Sequence, residues 1–475
     1  MVSRIDKIKC WYVILVTFIL HLVLINLYPV NFEFTFSEGA KYLINFDKQI
    51  VKDYFFDQAN TFFYSLIVGL VNKIFTLENT LLYTRLLSAS SYFFLGFAFI
   101  NLFSYFKIKF KCHYFLIFFF LNPMIWTYGY RGIPDLFSAS LALYSFSRIL
   151  ILGNNINFKI YLNYFLLSVS ICIKPFSLIY LGLIILLDYK NNIFFIIKKY
   201  FFLIIFTLLM PILYFLIIKI NFNFYLVPPR FSNMIIFGYG NIFAIIIGYF
   251  IFIAISAFPF TLSFNFFSDK KNVVIFFFCS LVLFFYFFKH DLGNAELNFG
   301  FLDKLVSINL IYIFALLPFF LFFTYLKNVI RNKINYKLTF IIFFYILILS
   351  LTRPSQRYII NILPILLLFM LLNLKEFKIK LFSLVILIIY IPINLLIAIN
   401  FYFISNNNKN VIFFLNNEKI INKTSPGVLY LHSKHFFNSL DKKEYEVSFT
   451  PGKFVIKQFD FSNIIQKQSY YINKL

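Results

Sequence analysis

Isolated charges beside apolar runs are the residues of this sequence best suited to chemistry. An ionisable group within an apolar segment is costly unless it is paired or functional. A guanidinium offers a planar fork of donors and an ammonium offers a point charge, so together they suit a phosphate. The sequence predicts a basic pocket rimmed by carboxylates, and its candidate substrate-binding residues are Arg131, Asp135, Lys174, Arg230, Arg353, Arg357 and Tyr358.

Each of these charges also has a structural interpretation. Arg131 and Asp135 are four residues apart, so they could pair with each other across a helix start. Lys174 has no acidic residue nearby in the sequence and precedes a proline that interrupts an apolar run. Snorkelling of long side chains to lipid headgroups explains any one of the cations, but it explains the whole set less well.

Carboxylates are concentrated in the segment between the first two predicted spans. A loop of this length is usually functional or disordered, and its apolar and aromatic content argues against disorder. A carboxylate held at a membrane surface can remove a proton from an attacking hydroxyl. For any single one of these acids, a solvated loop residue is the alternative. The acids are Glu33, Glu38, Asp47, Asp53, Asp57 and Glu78.

The composition requires a membrane environment for the elements that carry these residues. The chain has 475 residues, of which 61% are hydrophobic and 13% are charged, and this excludes a set of soluble domains. Apolar runs of roughly 17 to 25 residues can cross the ~30 Å hydrocarbon core of a bilayer. The sequence predicts an α-helical polytopic membrane protein with about thirteen transmembrane helices. The predicted spans are 11–28, 82–106, 112–124, 134–150, 160–173, 175–188, 200–219, 240–264, 273–288, 305–326, 338–351, 359–374 and 381–404.

The net charge of +24 follows largely from the topology of such a protein. Cytoplasmic loops collect lysine and arginine, so we place the N-terminus and every basic cluster on the cytoplasmic side. Nucleic acid is then not needed as a partner. The apolar segment 60–77 is predicted to lie along the outer interface, because a span there would move Lys107, Lys109 and Lys111 outside.

Four parts of the chain follow from this topology. They are the N-terminus with the first helix (1–28), a first extracytoplasmic loop with interfacial helices (29–81), a transmembrane core (82–404) and a tail (405–475). The tail contains short alternating pieces such as YEVSF and KFVIKQF around the turn signal TPG. It is predicted to form a small extracytoplasmic C-terminal domain.

No cofactor or metal is indicated by the sequence. The four cysteines offer no pair on the outer side, and there is no CxxC motif or histidine cluster with metal-ligand spacing. A divalent cation could take part, but the lack of a cluster of the form DxD argues against a dedicated site.

Five stretches, in this order, resemble motifs of the GT-C superfamily of polytopic glycosyltransferases, which contains the protein O-mannosyltransferases and the lipid A aminoarabinose transferase. The stretches are FSEGAKYL, TFFYSLIVGLVNKIF with the following YTRLLSASSYFFLGFAFI, NPMIWTYGYRGIPDLFSASLALYSF, ICIKPFSLIYLGLIILLD and RYIINILPILLLF. They cover roughly residues 30 to 190 and 350 to 372.

The resemblance implies transfer of a hexose or pentose from a polyprenyl or dolichyl phosphate to a lipid, glycan or protein acceptor. It implies an active site on the periplasmic side of a bacterial inner or plasma membrane. By this resemblance Glu38 is the first-loop acid near the acceptor, while Lys174, Arg131 and Arg357 bind the phosphate leaving group. Asp135 orients Arg131 or lines the acceptor site.

The first loop departs from the family pattern at two points. Many relatives have Asp-Glu where this chain has Ser37-Glu38, and DQANTFFYS lacks the Pro-Pro that often precedes the aromatic segment. Asp57 therefore competes with Glu38 as the predicted catalytic base, or the acceptor differs. Two other functions stay open, a transporter or flippase for lipid-linked sugars and a polysaccharide polymerase or ligase. The lack of an internal repeat argues against the first, and the early position of the acidic loop argues against the second.

Overall fold

The computed structural model describes most of the chain up to residue 399 and short parts of the tail. The described residues are 3–27, 62–75, 80–153, 158–187, 193–222, 242–261, 270–291, 315–322, 333–351, 356–372, 383–399, 402, 421–422, 444–448 and 471–474.

Helices dominate the described residues. Two short 3-10 helices, Pro175–Leu178 and Gln356–Asn361, precede α8 and α14, and α15 contains a π-helical turn at Ile386–Tyr390. The α-helices are α1 (Arg4–Leu27), α2 (Phe62–Phe75), α3 (Thr80–Tyr105), α4 (Cys112–Leu121), α5 (Pro123–Gly129), α6 (Pro134–Leu152), α7 (Phe158–Ile173), α8 (Ile179–Leu187), α9 (Ile193–Phe222), α10 (Ile242–Thr261), α11 (Lys270–Asp291), α12 (315–322), α13 (Lys333–Ser350), α14 (Leu363–Leu372) and α15 (Ser383–Ile399).

Three short strands lie in the tail: β1 (Ile421–Asn422), β2 (Glu444–Ser448) and β3 (Tyr471–Lys474). They form one sheet in the order β1-β2-β3, with a parallel β1–β2 pair and an antiparallel β2–β3 pair. The predicted strand YEVSF overlaps β2. The rest of the predicted C-terminal domain lies outside the described residues, so its boundaries stay a prediction.

Helix α6 lies at the centre of the bundle and packs against α3 and α7. Most of its residues are buried, as expected for a helix that is apolar or small on every side. Helix α1 packs against α3 and α4, where His21 Nδ1 donates to the Thr17 carbonyl (2.8 Å) and Nε2 accepts from the Tyr92 hydroxyl (2.8 Å). The buried imidazole of His21 therefore has a hydrogen-bond partner at each ring nitrogen.

The predicted span 112–124 is two helices rather than one. Helix α4 ends at Leu121, and Asn122 starts α5 by accepting a hydrogen bond from the Met124 amide (3.1 Å). Pro123 at the first helical position has no amide to donate, so it starts a helix well and cannot continue the preceding one. The reorientation after Asn122 directs the chain toward Arg131 and Asp135.

In the described part of the chain, three helices are long and apolar enough to cross a membrane: Arg4–Leu27, Leu82–Tyr105 and Pro134–Leu152. Nine shorter apolar helices accompany them among the described residues. Each of the thirteen predicted spans overlaps a described helix, although the ends of several spans, and most of the span 305–326, lie outside the described part. These helices are compatible with a multi-pass membrane protein.

Candidate functional site

Asp135 and Lys174 form a buried ion pair between the ends of two helices. Asp135 follows Pro134 in the first turn of α6, where the helix dipole favours a carboxylate. Lys174 has an extended backbone between α7 and the 3-10 helix that Pro175 begins. Lys174 Nζ lies 3.8 Å from Asp135 Oδ1, and the two residues are 3% and 1% exposed. Lys174, which lacks an acid nearby in sequence, thus has one in space.

Arg357 lies close to this pair, in the 3-10 helix Gln356–Asn361. Burial acts to lower the pKa of Arg357, but the negative charge of Asp135 raises it, and the net pKa lies above the ordinary value. The guanidinium carbon is 5.4 Å from the ring centre of Tyr358, a cation–π distance. The site therefore brings the segment before α14 to the start of α6.

Arg131 approaches the same group of residues from the loop between α5 and α6. Its guanidinium carbon lies 5.6 Å from the ring centre of Tyr128. Burial raises the pKa of the Tyr128 phenol, and its other electrostatic neighbours are Arg131, Asp135, Arg357 and Tyr358. Tyr128 therefore lies near all the charged groups of the site except Lys174.

The charge of this cluster favours an anionic ligand. Among the described residues it holds three cations and one carboxylate, a formal excess of two positive charges. Asp135 Oδ2 and Arg357 Nε have no hydrogen-bond partner in the described part of the chain, and such buried groups are costly unless a ligand satisfies them. Arg131 and Arg357 are partly exposed, whereas Lys174 and Asp135 are buried.

A network of hydroxyls holds the three charged elements together. Ser138 follows Asp135 by one helical turn, and its Oγ lies 2.8 Å from Ser177 Oγ, in the 3-10 helix after Lys174. Ser138 also donates to the Ser170 carbonyl (2.9 Å), and Ser170 Oγ donates back to the Ser138 carbonyl (3.0 Å). Ser177 Oγ donates to Asn361 Oδ1 (3.4 Å), at the end of the helix that carries Arg357. We call Ser138, Ser170, Ser177 and Asn361 the hydroxyl network.

Aromatic contacts fix the same junction. The Phe176 and Tyr358 rings lie 4.4 Å apart, within the range of favourable aromatic pairs. Tyr345 on α13 donates its hydroxyl to the Tyr358 carbonyl (2.7 Å), and Tyr180 donates to the Asn361 carbonyl (2.7 Å). The backbone on both sides of Arg357 is therefore anchored.

The hydroxyl network is not among the features predicted from the sequence. Its signal is a regular spacing: a polar residue follows each charge by about one turn, as in DLFS, KPFS and RYIIN. Residues three or four apart lie on one helix face, so a face that carries a buried charge also carries the groups that fix it.

The structure brings together Arg131, Asp135, Lys174, Arg357 and Tyr358 of the predicted substrate-binding residues. The partner of Asp135 in the ion pair is Lys174, whereas spacing alone had suggested Arg131. The remaining predicted site residues lie outside the described residues; they are Glu38, Asp57, Arg230 and Arg353.

No group of three or more potential metal ligands occurs within the described part of the chain. No family model, curated protein or solved structure matches the chain. Function is therefore inferred from the site and its surroundings.

Proposed function

We propose that this chain is a multi-pass membrane glycosyltransferase of the GT-C type. It moves a sugar from a polyprenyl or dolichyl phosphate to a lipid, glycan or protein acceptor on the extracytoplasmic face. The observation that carries the proposal is the cluster of Arg131, Lys174 and Arg357 around one carboxylate, with its excess of positive charge.

The distribution of apolar residues supports the membrane part of the proposal. Helix α1 buries Thr17 and His21 in the bundle and exposes Leu15, Val16 and Leu20. In water the opposite arrangement is favoured, because exposed apolar surface is unfavourable and buried polar groups need partners. Lipid around the helix removes the unfavourable exposure of these apolar side chains to water. The proposal includes about thirteen transmembrane spans and a site at the outer face of the membrane.

The length of α3 supports a position for the site near one membrane face. Ser88, in the third turn of α3, donates to the Ile133 carbonyl (3.1 Å) next to the site. The helix then continues to Tyr105, about 26 Å along its axis at 1.5 Å per residue. This distance approaches the ~30 Å thickness of the hydrocarbon core. The site and the loop after Tyr105 therefore fit opposite faces.

The reaction that suits this cluster needs charge stabilisation more than strong acid assistance. The acceptor hydroxyl forms a bond to the anomeric carbon, and the bond from that carbon to the phosphate oxygen breaks. The electron pair leaves with the lipid phosphate, whose negative charge increases by one. Lys174 and Arg357 stabilise that charge in a largely water-free site, and Asp135 holds the cations in position. The hydroxyl proton goes to a first-loop carboxylate, Glu38 or Asp57.

A transfer assay on the full-length chain in native membranes tests this proposal. Radiolabelled undecaprenyl phosphate hexoses and pentoses are supplied, and released lipid phosphate and labelled acceptor are measured. We expect Lys174→Ala and Arg357→Ala each to lower transfer about 100-fold, as loss of a charge-stabilising donor does. Lys159→Ala is the matched control, because Lys159 is an exposed lysine at the far end of α7.

Two outcomes would contradict the proposal. Movement of label across the membrane without release of lipid phosphate would indicate a flippase, and transfer of preassembled chains alone would indicate a polymerase or ligase. The base is tested separately: Glu38→Gln and Asp57→Asn are compared, and full activity in both would exclude the first-loop acids.

A further inference from the structure

We propose that the end of the bundle opposite the candidate site binds anionic phospholipid headgroups. Six exposed cations occur there, three at the start of α1 and three in the loop between α3 and α4. We call them the polybasic surface; its residues are Arg4, Lys7, Lys9, Lys107, Lys109 and Lys111.

Contacts between α1 and α4 bring the two groups of cations to one place. Asp6 on α1 accepts hydrogen bonds from the amides of Cys112 (3.0 Å) and His113 (3.5 Å) at the start of α4. It also contacts the His113 ring. The side chains of Cys10 and Cys112 also form a hydrogen bond. The N-terminus of α1 is therefore fixed beside the loop.

The charge of this surface is not balanced locally. Asp6 is the only acid in the segments 3–12 and 105–114, which contain all six cations. Its oxygens are engaged by the α4 amides and His113, so it is occupied in joining the helices. The polybasic surface therefore has a formal charge near +5 and attracts anions.

Lys107 stands at a position where glycine is favoured. Helix α3 ends in a Schellman motif, with the Ile108 amide bonded to the Phe103 carbonyl (3.0 Å) and the Lys107 amide near the Ser104 carbonyl (3.4 Å). Lys107 has φ of 53°, in the left-handed region that L-residues rarely adopt. Glycine would meet this backbone requirement at lower cost, so the property that lysine adds at the position is its charge.

Adjoining apolar side chains identify lipid as the partner. Ile8, Trp11 and Tyr12 on α1 are exposed directly beside Lys7 and Lys9. Along α1 the exposed side chains change from cationic to apolar within about 7 Å. This change matches the boundary between lipid headgroups and acyl chains. A juxtamembrane set of four to eight cations is typical of anionic lipid recognition. A soluble acidic partner would not need the apolar margin.

Native mass spectrometry of the full-length chain in neutral detergent tests the proposal. The protein is titrated with phosphatidylglycerol or phosphatidylcholine, and bound lipids are counted. We expect preference for phosphatidylglycerol, weakened by salt. Each removed cation should lower that affinity about five-fold, equivalent to about 1 kcal/mol. The variant Lys107→Gln/Lys109→Gln/Lys111→Gln should therefore bind about 100-fold more weakly, while Lys73→Gln on the exposed face of α2 serves as the matched control.

Lys107→Gly separates charge from folding. Glycine relieves the left-handed strain, so the variant should unfold at a higher temperature and yet bind phosphatidylglycerol about five-fold more weakly. The proposal is overturned if the triple variant retains wild-type preference, or if both lipids bind equally to the wild type. The proposed sugar transfer can fail without affecting this result.

Discussion

At the level of single residues, Asp135 carries the negative charge among the four ionic side chains that the structure describes at the candidate site. Its removal leaves Lys174, Arg131 and Arg357 without that carboxylate. Removal of Lys174 instead leaves Asp135 with two cations still near it. The two members of this ion pair are therefore unequal in what they contribute.

We expect Asp135→Asn to destabilise the protein by about 3 to 5 kcal/mol, the usual cost of removing one partner of a buried ion pair. Lys174→Met should cost less, about 1 to 2 kcal/mol, because neither Arg131 nor Arg357 is lost. Thermal unfolding in detergent measures both. Equal losses of stability in the two variants, or a larger loss in Lys174→Met, would show that the ion pair acts alone, without the two arginines.

The sequence predicted the charges of this site but not their pairing. Asp135 and Lys174 stand out because each interrupts an apolar region, and that can be seen locally. Their contact forms between the start of α6 and the end of α7, and only the antiparallel packing of these helices brings them together. Spacing favoured Arg131 as the partner because sequence patterns report neighbours along one helix and not contacts between helices.

At the level of secondary structure elements, the hydroxyl network joins three helix ends that the Asp135–Lys174 ion pair and the Phe176–Tyr358 contact also hold together. Ser138 lies on α6, Ser177 on the 3-10 helix after Lys174, and Asn361 at the end of the helix that carries Arg357. Each is about one turn from a charged residue. The network thus sets the separation of the charges.

We expect Ser138→Ala to lower sugar transfer about ten-fold through misplacement of Lys174, while stability falls by only about 1 kcal/mol. Ser145→Ala is a matched control: Ser145 is buried on the same helix but donates only to the Leu141 carbonyl of its own helix (2.8 Å). Ser138→Thr keeps the hydroxyl and should restore part of the activity. Equal losses of activity in the Ser138→Ala and Ser145→Ala variants would assign the network to packing alone.

Helix boundaries were predictable where the residue type itself favours the start of a helix. Pro134 and Pro175 begin helices at or close to the predicted positions, since proline fits the first turn. The break at Asn122 was missed because the apolar run continues through Pro123 to Trp126. Hydropathy reports the length of a run and says nothing of an asparagine that caps a new helix.

At the level of the whole molecule, the two tryptophans report whether the apolar exterior faces lipid. Trp11 is 47% exposed on the outside of α1, and Trp126 is 9% exposed within the bundle. They are the only tryptophans of the chain, so Trp126→Phe and Trp11→Phe each leave a single tryptophan, which is excited selectively above the absorption of tyrosine. The chain therefore contains one probe of its exterior and one of its interior.

In vesicles that contain brominated phosphatidylcholine, we expect strong quenching of Trp11 in the Trp126→Phe variant. Trp126 in the Trp11→Phe variant should be quenched weakly, because the helices around it exclude lipid. Trp11 lies about 10 Å along α1 from Arg4, so bromine near the carbonyl end of the acyl chains should quench it best. Iodide in the aqueous phase should have little effect on either residue. Strong quenching of Trp11 by iodide, with none by brominated lipid, would place α1 in water. The arrangement that exposes leucine and valine while burying threonine and histidine would then have no physical explanation, and the membrane topology would have to be abandoned together with the proposed lipid substrate.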